Sequence, residues 1–200
     1  MSQNSRGNGT YNNILDVSLD LFSRHGYDAT SVAEICQTAQ VSKGAFYHHF
    51  SSKQELFLAL MNTWLMQVDG LFQEAAESAE TVPAALAKMA TIAGSIFDEL
   101  ESGFPILLEF WQQASRQPDI WQRAVSPYQS YIDFFTGIVQ SGIQEGAFDE
   151  TLDPNLAARI LMAVAMGLLL QASFDPGGAN WQEVTQSGIN ILLHGIRRTK

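Results

Sequence analysis

Lys43, Tyr47 and His49 stand within the run V-S-K-G-A-F-Y-H-H-F, residues 41–50. These side chains share the capacity to donate hydrogen bonds to acceptor-rich, anionic surfaces. Lysine pairs with guanine O6 and N7. Tyrosine and histidine can donate to phosphate oxygens. Gly44 and Ala45 remove bulk, so a helix backbone here can sit close to a duplex, and the Ala45 methyl could touch that of a thymine. Residues four apart share a helix face. Lys43 and Tyr47 therefore point one way, and Phe46 and Phe50 point into a core. The chemistry on offer is recognition rather than turnover.

Three short elements must position these groups. Ser31 with Glu34 makes a capping box, so a helix is predicted to begin there. Val32, Ile35, Cys36 and Ala39 give it one apolar face. Gln40 and Val41 interrupt the pattern, and Ser42 has the chemistry of a new N-cap for a helix from 43 to about 49. Two short helices, a tight turn and a polar outer face make a helix-turn-helix, which lays its second helix in the major groove. Ser52 with Glu55 is another capping box and sets Lys53 in the first turn of the next helix, a phosphate seat beside free N–H groups. Thr30 is placed for the same role. With Ser42 and His48, the candidate DNA-contacting residues are Thr30, Ser42, Lys43, Gly44, Ala45, Tyr47, His48, His49 and Lys53. Spacing alone leaves open a helix-turn-helix that never meets DNA.

The span 14–57 resembles the DNA-binding domain of the TetR (tetracycline repressor) family. The resemblance is carried by L-F-S-R-H-G-Y-D-A-T-S-V (21–32), V-S-K-G-A-F-Y-H-H-F (41–50) and S-K-Q-E-L-F (52–57), occurring together and in this order. It covers about a quarter of the chain. It implies a dimeric bacterial transcription regulator, usually a repressor released by a small ligand. It also implies DNA contacts from Lys43, Gly44, Tyr47 and His49, and phosphate contacts from Lys53 and Thr30. Many members open their first helix with Arg or Lys. Tyr11-Asn12-Asn13 stands there in this chain.

The formal net charge of −10 is unevenly spread. Residues 1–53 hold Arg6, Arg24, Lys43 and Lys53 against Asp16, Asp20, Asp28 and Glu34, so the excess acidity falls wholly beyond them. A neutral reading head on an acidic body suits a protein that touches DNA with one end only. Few phosphate contacts per subunit and a modest salt dependence follow. No apolar run reaches the ~18 residues of a membrane span, and no signal peptide opens the chain. A cytoplasmic location is expected. One cysteine, Cys36, excludes an internal disulfide framework and reads as a buried small hydrophobe.

Residues 1–10 are polar and read as a disordered arm, followed by a helix-turn-helix domain over 11–52 and a ligand-binding and dimerisation domain over 53–200. The helix 53–73 keeps a 3.6-residue apolar period and links the two. About nine helices and no strand make the fold class all-α. Pro83, Pro105 and Pro154 suit first turns, Asp153 caps the eighth helix, and Pro127 should kink or restart the seventh. Residues 160–170 are apolar or glycine throughout, which predicts cover on every side. A symmetric seam of the last two helices is expected, through Ile160, Val164, Leu168, Gly188, Leu192 and Gly195.

Aromatic side chains of the second half can line a ligand pocket between helices. The candidates are Phe97, Phe104, Phe110, Trp111, Tyr128, Tyr131 and Phe135, with Glu109, the charged slot in an apolar run, as a carboxylate selecting a cationic or hydrogen-bond-donating ligand. A solvated outer face is the other reading of Glu109. The four histidines show no metal spacing, no catalytic constellation is recognisable, and no cofactor is expected. The sequence thus reads as a homodimeric, ligand-responsive, double-stranded-DNA-binding regulator rather than an enzyme. A small-molecule-binding helical protein with a vestigial helix-turn-helix stays open, as does an enzyme using the bundle cavity.

Overall fold

The computed structural model describes residues 3–99, 103–175 and 177–196, with side chains for 9–95, 106–175 and 177–196. The described residues form helices α1 (Gln3–His25), α2 (Val32–Thr38), α3 (Lys43–His49), α4 (Lys53–Glu77), α5 (Val82–Glu99), α6 (Gly103–Ala114), α7 (Pro118–Gln144), α8 (Pro154–Phe174) and α9 (Trp181–Ile196). No strand occurs among them.

The chain divides into two compact units. The first contains Met1–Met66 and Pro105–Ala124, and the second Gln67–Phe104 and Val125–Lys200. This division differs from the boundary expected after residue 52, because α4 contributes to both units and much of α6 belongs with the first. The disordered arm expected over 1–10 is corrected too: α1 already begins at Gln3. Polar residues extend a helix readily once packed turns have nucleated it. Pro127 does not restart α7, which runs through it as one helix.

In the first unit, helix starts are written locally. Ser31 Oγ accepts the Glu34 N–H (3.1 Å), and Ser42 and Ser52 do the same for Ala45 and Glu55 (3.1 Å each). Each satisfies a donor that a helix start would otherwise orphan, worth ~1 kcal/mol. Beneath these caps Ile14, Phe22, Tyr27, Ile35, Phe46, Leu56 and Phe110 are closed to solvent. The Phe57 and Phe110 rings stack at 4.3 Å, and Tyr27 meets both edge-on. Phe46→Ala would empty the centre of the helix-turn-helix at a cost of ~3–5 kcal/mol. Cys36 is buried as expected.

In the second unit, α5 packs along α9, and α8 packs against both. A Cβ on Gly94 would lie 3.2 Å from the Gln182 Cα, so this glycine sets how closely α5 approaches α9. Phe72 of α4 meets Tyr131, Phe134 and Phe135 of α7 at 5.9–6.4 Å. Asp153 caps α8 through the Asn155 and Leu156 N–H groups. Among the described residues α8 is long and apolar enough to cross a membrane, and most of it is uncovered within the single chain.

Candidate nucleic-acid interface

α3 presents a polar face to solvent. Ser42, Lys43, Gly44, Tyr47 and His48 are exposed, Ala45 and His49 are half-buried, and Phe46 anchors the opposite side with no exposure. Tyr47 keeps 53% of its surface in solvent while its ring edge rests on Phe46. The face predicted from the four-residue spacing is the face observed. At Gly44 an added Cβ would meet only the Ser42 Oγ, at an ordinary 3.7 Å. Nothing inside the molecule requires a glycine there.

The turn holding α2 to α3 places Gln40 at φ 55°, the one described non-glycine residue in the left-handed region. Asn13 of α1 donates to the Ala39 carbonyl (2.8 Å), closing the C-terminal end of α2. Tyr11 stacks on Phe50 at 4.9 Å and meets His49 edge-on at 5.9 Å. The Tyr11-Asn12-Asn13 stretch thus supports α3 from α1.

Two predicted phosphate contacts need correction. Thr30 is fully buried, and its hydroxyl donates to the Gly26 carbonyl (2.8 Å). It fastens the turn between α1 and α2 and cannot reach a phosphate. The Lys53 ammonium donates to the carbonyls of Tyr27 (2.7 Å) and Thr30 (2.9 Å) and lies 4.2 Å from the centre of the Tyr27 ring. Loss of solvent lowers its pKa, against the pull of Asp28 and Glu109. Lys53 is a staple across the turn 26–30 rather than an open phosphate seat.

Glu109 faces the same turn. Its Oε2 accepts the Asp28 backbone N–H (3.1 Å), and Gln113, one helical turn along α6, donates to the Asp28 carboxylate. A Cβ on Gly26 would sit 3.1 Å from the Glu109 carboxylate, and Gly26 has φ 85°. Glu109 is therefore neither a ligand-selecting carboxylate nor a merely solvated one: it holds a turn. Phe110 likewise leaves the predicted pocket set, because it lies at the centre of the first unit's core. Trp111 packs on that core with its Nε1 buried and unpartnered. Tyr128, Tyr131 and Phe135 belong to the second unit, where Phe135 is buried and Tyr128 exposed. The side chains of Phe97 and Phe104 lie outside the described residues.

Beside α3 runs an open groove of about 380 Å³, lined by Tyr11, Tyr47, His48, His49, Phe50, Ser51, Glu55, Ala59, Asn62 and Arg123. The Arg123 guanidinium, from α7, forks onto Glu55, with Nη1 and Nη2 donating to Oε1 and Oε2 at 2.5 and 2.9 Å. Sequence reasoning missed Arg123 because its partner lies 68 residues away and no local pattern marks it.

The predicted seam also divides. Leu168 is buried, and Leu168 and Val164 lie against Gly188 of α9 within the same chain. Leu168 is thereby spent on packing within the chain, while Val164 and Gly188 stay half-buried. Ile160 and Gly195 are exposed and Leu192 is half-buried. Ile191, 72% exposed on α9, and Leu156, 57% exposed on α8, join the uncovered apolar surface.

A three-helix unit with a capped, outward-facing α3 defines the helix-turn-helix regulators. A family profile described as bacterial regulatory proteins, tetR family, matches residues 14–60. A second, described as BetI-type transcriptional repressor, C-terminal, matches residues 102–190. The chain belongs to the TetR family of bacterial transcriptional regulators. It is similar to the HTH-type transcriptional repressor KstR2 of Rhodococcus jostii, at 24% identity, covering 94% of this chain and 91% of that protein. The fold is similar to the ketosteroid transcriptional regulator KstR2 of Mycobacterium tuberculosis (TM-score 0.70, 23% identity, 94% and 95% of the two chains). It is also similar to FadR from Bacillus subtilis in complex with stearoyl-CoA (TM-score 0.77, 21% identity, 94% and 100%).

Proposed function

We propose that this regulator reads a near-palindromic operator as a homodimer in the cytoplasm, represses from it, and is released by a small apolar ligand. Lys43 and Tyr47 contact the bases and backbone of the major groove, with Ser42, Ala45, His48 and His49 around them. Two α3 helices about one helical turn apart, ~34 Å, address the two half-sites. The single observation that carries this reading is Gly44. A glycine in an exposed helix costs ~1 kcal/mol relative to alanine, and no neighbour in the fold asks for it. The missing Cβ serves a body outside the molecule that must approach the backbone.

The uncovered apolar residues Leu156, Ile160 and Ile191 support a second copy on α8 and α9, since large exposed apolar surface marks an association face. The apolar ligand is supported by the aromatic side chains Phe72, Tyr131, Phe134 and Phe135 and by two proteins of similar fold, one a ketosteroid transcriptional regulator and one in complex with stearoyl-CoA. Such a ligand releases DNA only if it binds the DNA-incompetent arrangement more tightly.

The test is a duplex selected from random-sequence DNA by the purified chain, followed by gel shift of variants with sedimentation as a check on assembly. Lys43→Ala and Tyr47→Ala should abolish the shift and keep the dimer. Gly44→Ala should raise thermal stability while weakening binding. Unchanged affinity in all three would refute the reading face.

A further inference from the structure

We propose that the groove beside α3 is a second seat for the DNA backbone, with Arg123 of α7 as its phosphate-binding cation and Tyr11, Ser51 and Asn62 as neutral donors around it. The inference rests on the DNA-reading role of α3.

Continuity comes first. Tyr47, His48 and His49 belong to the outward surface of α3 and also form one wall of the groove. A strand bound along that surface would border the groove. The chemistry of the lining comes second. Its side chains offer three hydroxyls, a carboxamide, two imidazoles and a guanidinium, and the one carboxylate, Glu55, is already engaged by Arg123. An open, donor-rich trough of about 380 Å³ suits an extended anion better than the enclosed, mostly apolar cavity a small ligand requires.

The third argument is the shortage of cations. Arg24 is paired with Asp20 (2.7 Å), and Lys53 is spent on backbone carbonyls. Among the described side chains of the first unit, Lys43 and Arg116 are the other exposed cations, few for the phosphate neutralisation that duplex affinity depends on. Arg123 brings a cation from a distant part of the sequence to the edge of the reading face. A guanidinium carries five N–H donors in a planar fork, so one group can hold a carboxylate and a phosphate together. Glu55 then acts as a restraint: it orients the guanidinium and partly cancels its charge.

The proposal is tested by fluorescence anisotropy on the duplex selected by the wild-type chain, titrated across a range of KCl concentrations, with thermal melts of every variant. Arg123→Ala should weaken binding about tenfold and reduce the salt slope by about one per subunit. Glu55→Gln should tighten binding several-fold, because a negative charge leaves the groove. Asn62→Asp should weaken binding at low salt, with the difference closing as salt rises. An Arg123–Glu55 pair that only joined helices would make Glu55→Gln and Arg123→Ala move together, lowering the melting temperature with no gain in affinity from either. That pattern, or a wild-type salt slope in Arg123→Ala, overturns the groove assignment while wild-type binding keeps the α3 reading intact. A wild-type chain that selects no duplex overturns both.

Discussion

Replacing Lys53 by Met keeps the aliphatic stem and removes the ammonium. Two short charge-assisted hydrogen bonds disappear, to Tyr27 O and Thr30 O, with a long, weak one to Asp28 O (3.5 Å) and the contact to the Tyr27 ring. Hydrogen bonds from charged groups contribute ~1.5–3 kcal/mol each. The low end applies here, because Lys53 is only half-buried. The cation–π contact adds ~0.5–1 kcal/mol, and relief of the ammonium's desolvation offsets part of the loss. The net is roughly 3 kcal/mol, which lowers the melting temperature of a chain this size by about 6–12 °C. Circular dichroism measures the melt. Anisotropy against KCl, at a temperature where both proteins are folded, measures the phosphate count. The expected result is a destabilised protein whose salt slope matches wild type, because the ammonium faces carbonyls. A melting temperature within ~1 °C of wild type, together with a slope reduced by about one per subunit, would refute the staple and restore the phosphate seat implied by the resemblance.

Gln40→Gly should raise stability by roughly 0.5–1 kcal/mol in urea melts, since φ 55° strains any residue with a Cβ; Gln40→Val should lower it. Tyr27→Phe should alter the alkaline limb of stability. Burial first, and the Asp28 carboxylate second, push the Tyr27 hydroxyl's pKa up. Above pH ~10 the unfolded chain loses this proton and the folded chain keeps it, so stability falls by about 1.4 kcal/mol per pH unit from this group. Tyr131 contributes in the same sense. Urea melts between about pH 9 and about pH 11 should show a shallower decline in Tyr27→Phe. At neutral pH the same change removes a buried hydroxyl without a partner, so stability should hold or rise by ~1 kcal/mol.

What the sequence discloses is what neighbours along the chain decide. Ser31, Ser42, Ser52 and Asp153 each sit two or three residues from the N–H they accept, and each was readable as a cap. The outward face of α3 follows from a four-residue period. Lys53 and Glu109 were misread for the opposite reason. Their partners are 23–26 and 81 residues away, and nothing around a lysine or a glutamate states which backbone it will meet. A helix apolar on all sides was recognised as needing cover, yet its composition could not say which side its own chain would supply. The contact of Leu168 with Gly188 settles that for one side and leaves Ile160 outside. Arg123 had no local signature, because its position depends on how α7 returns to α4.

The three helix starts around the reading face are all held by serine, although aspartate caps a helix equally well and does so at α8. The difference is electrical. An aspartate at 31, 42 or 52 would fold the same helix and set a full negative charge beside a polyanion. The hydroxyl supplies an acceptor without a net charge. Asparagine is thus the conservative replacement at these sites, and aspartate, equivalent by every measure of folding, is the damaging one.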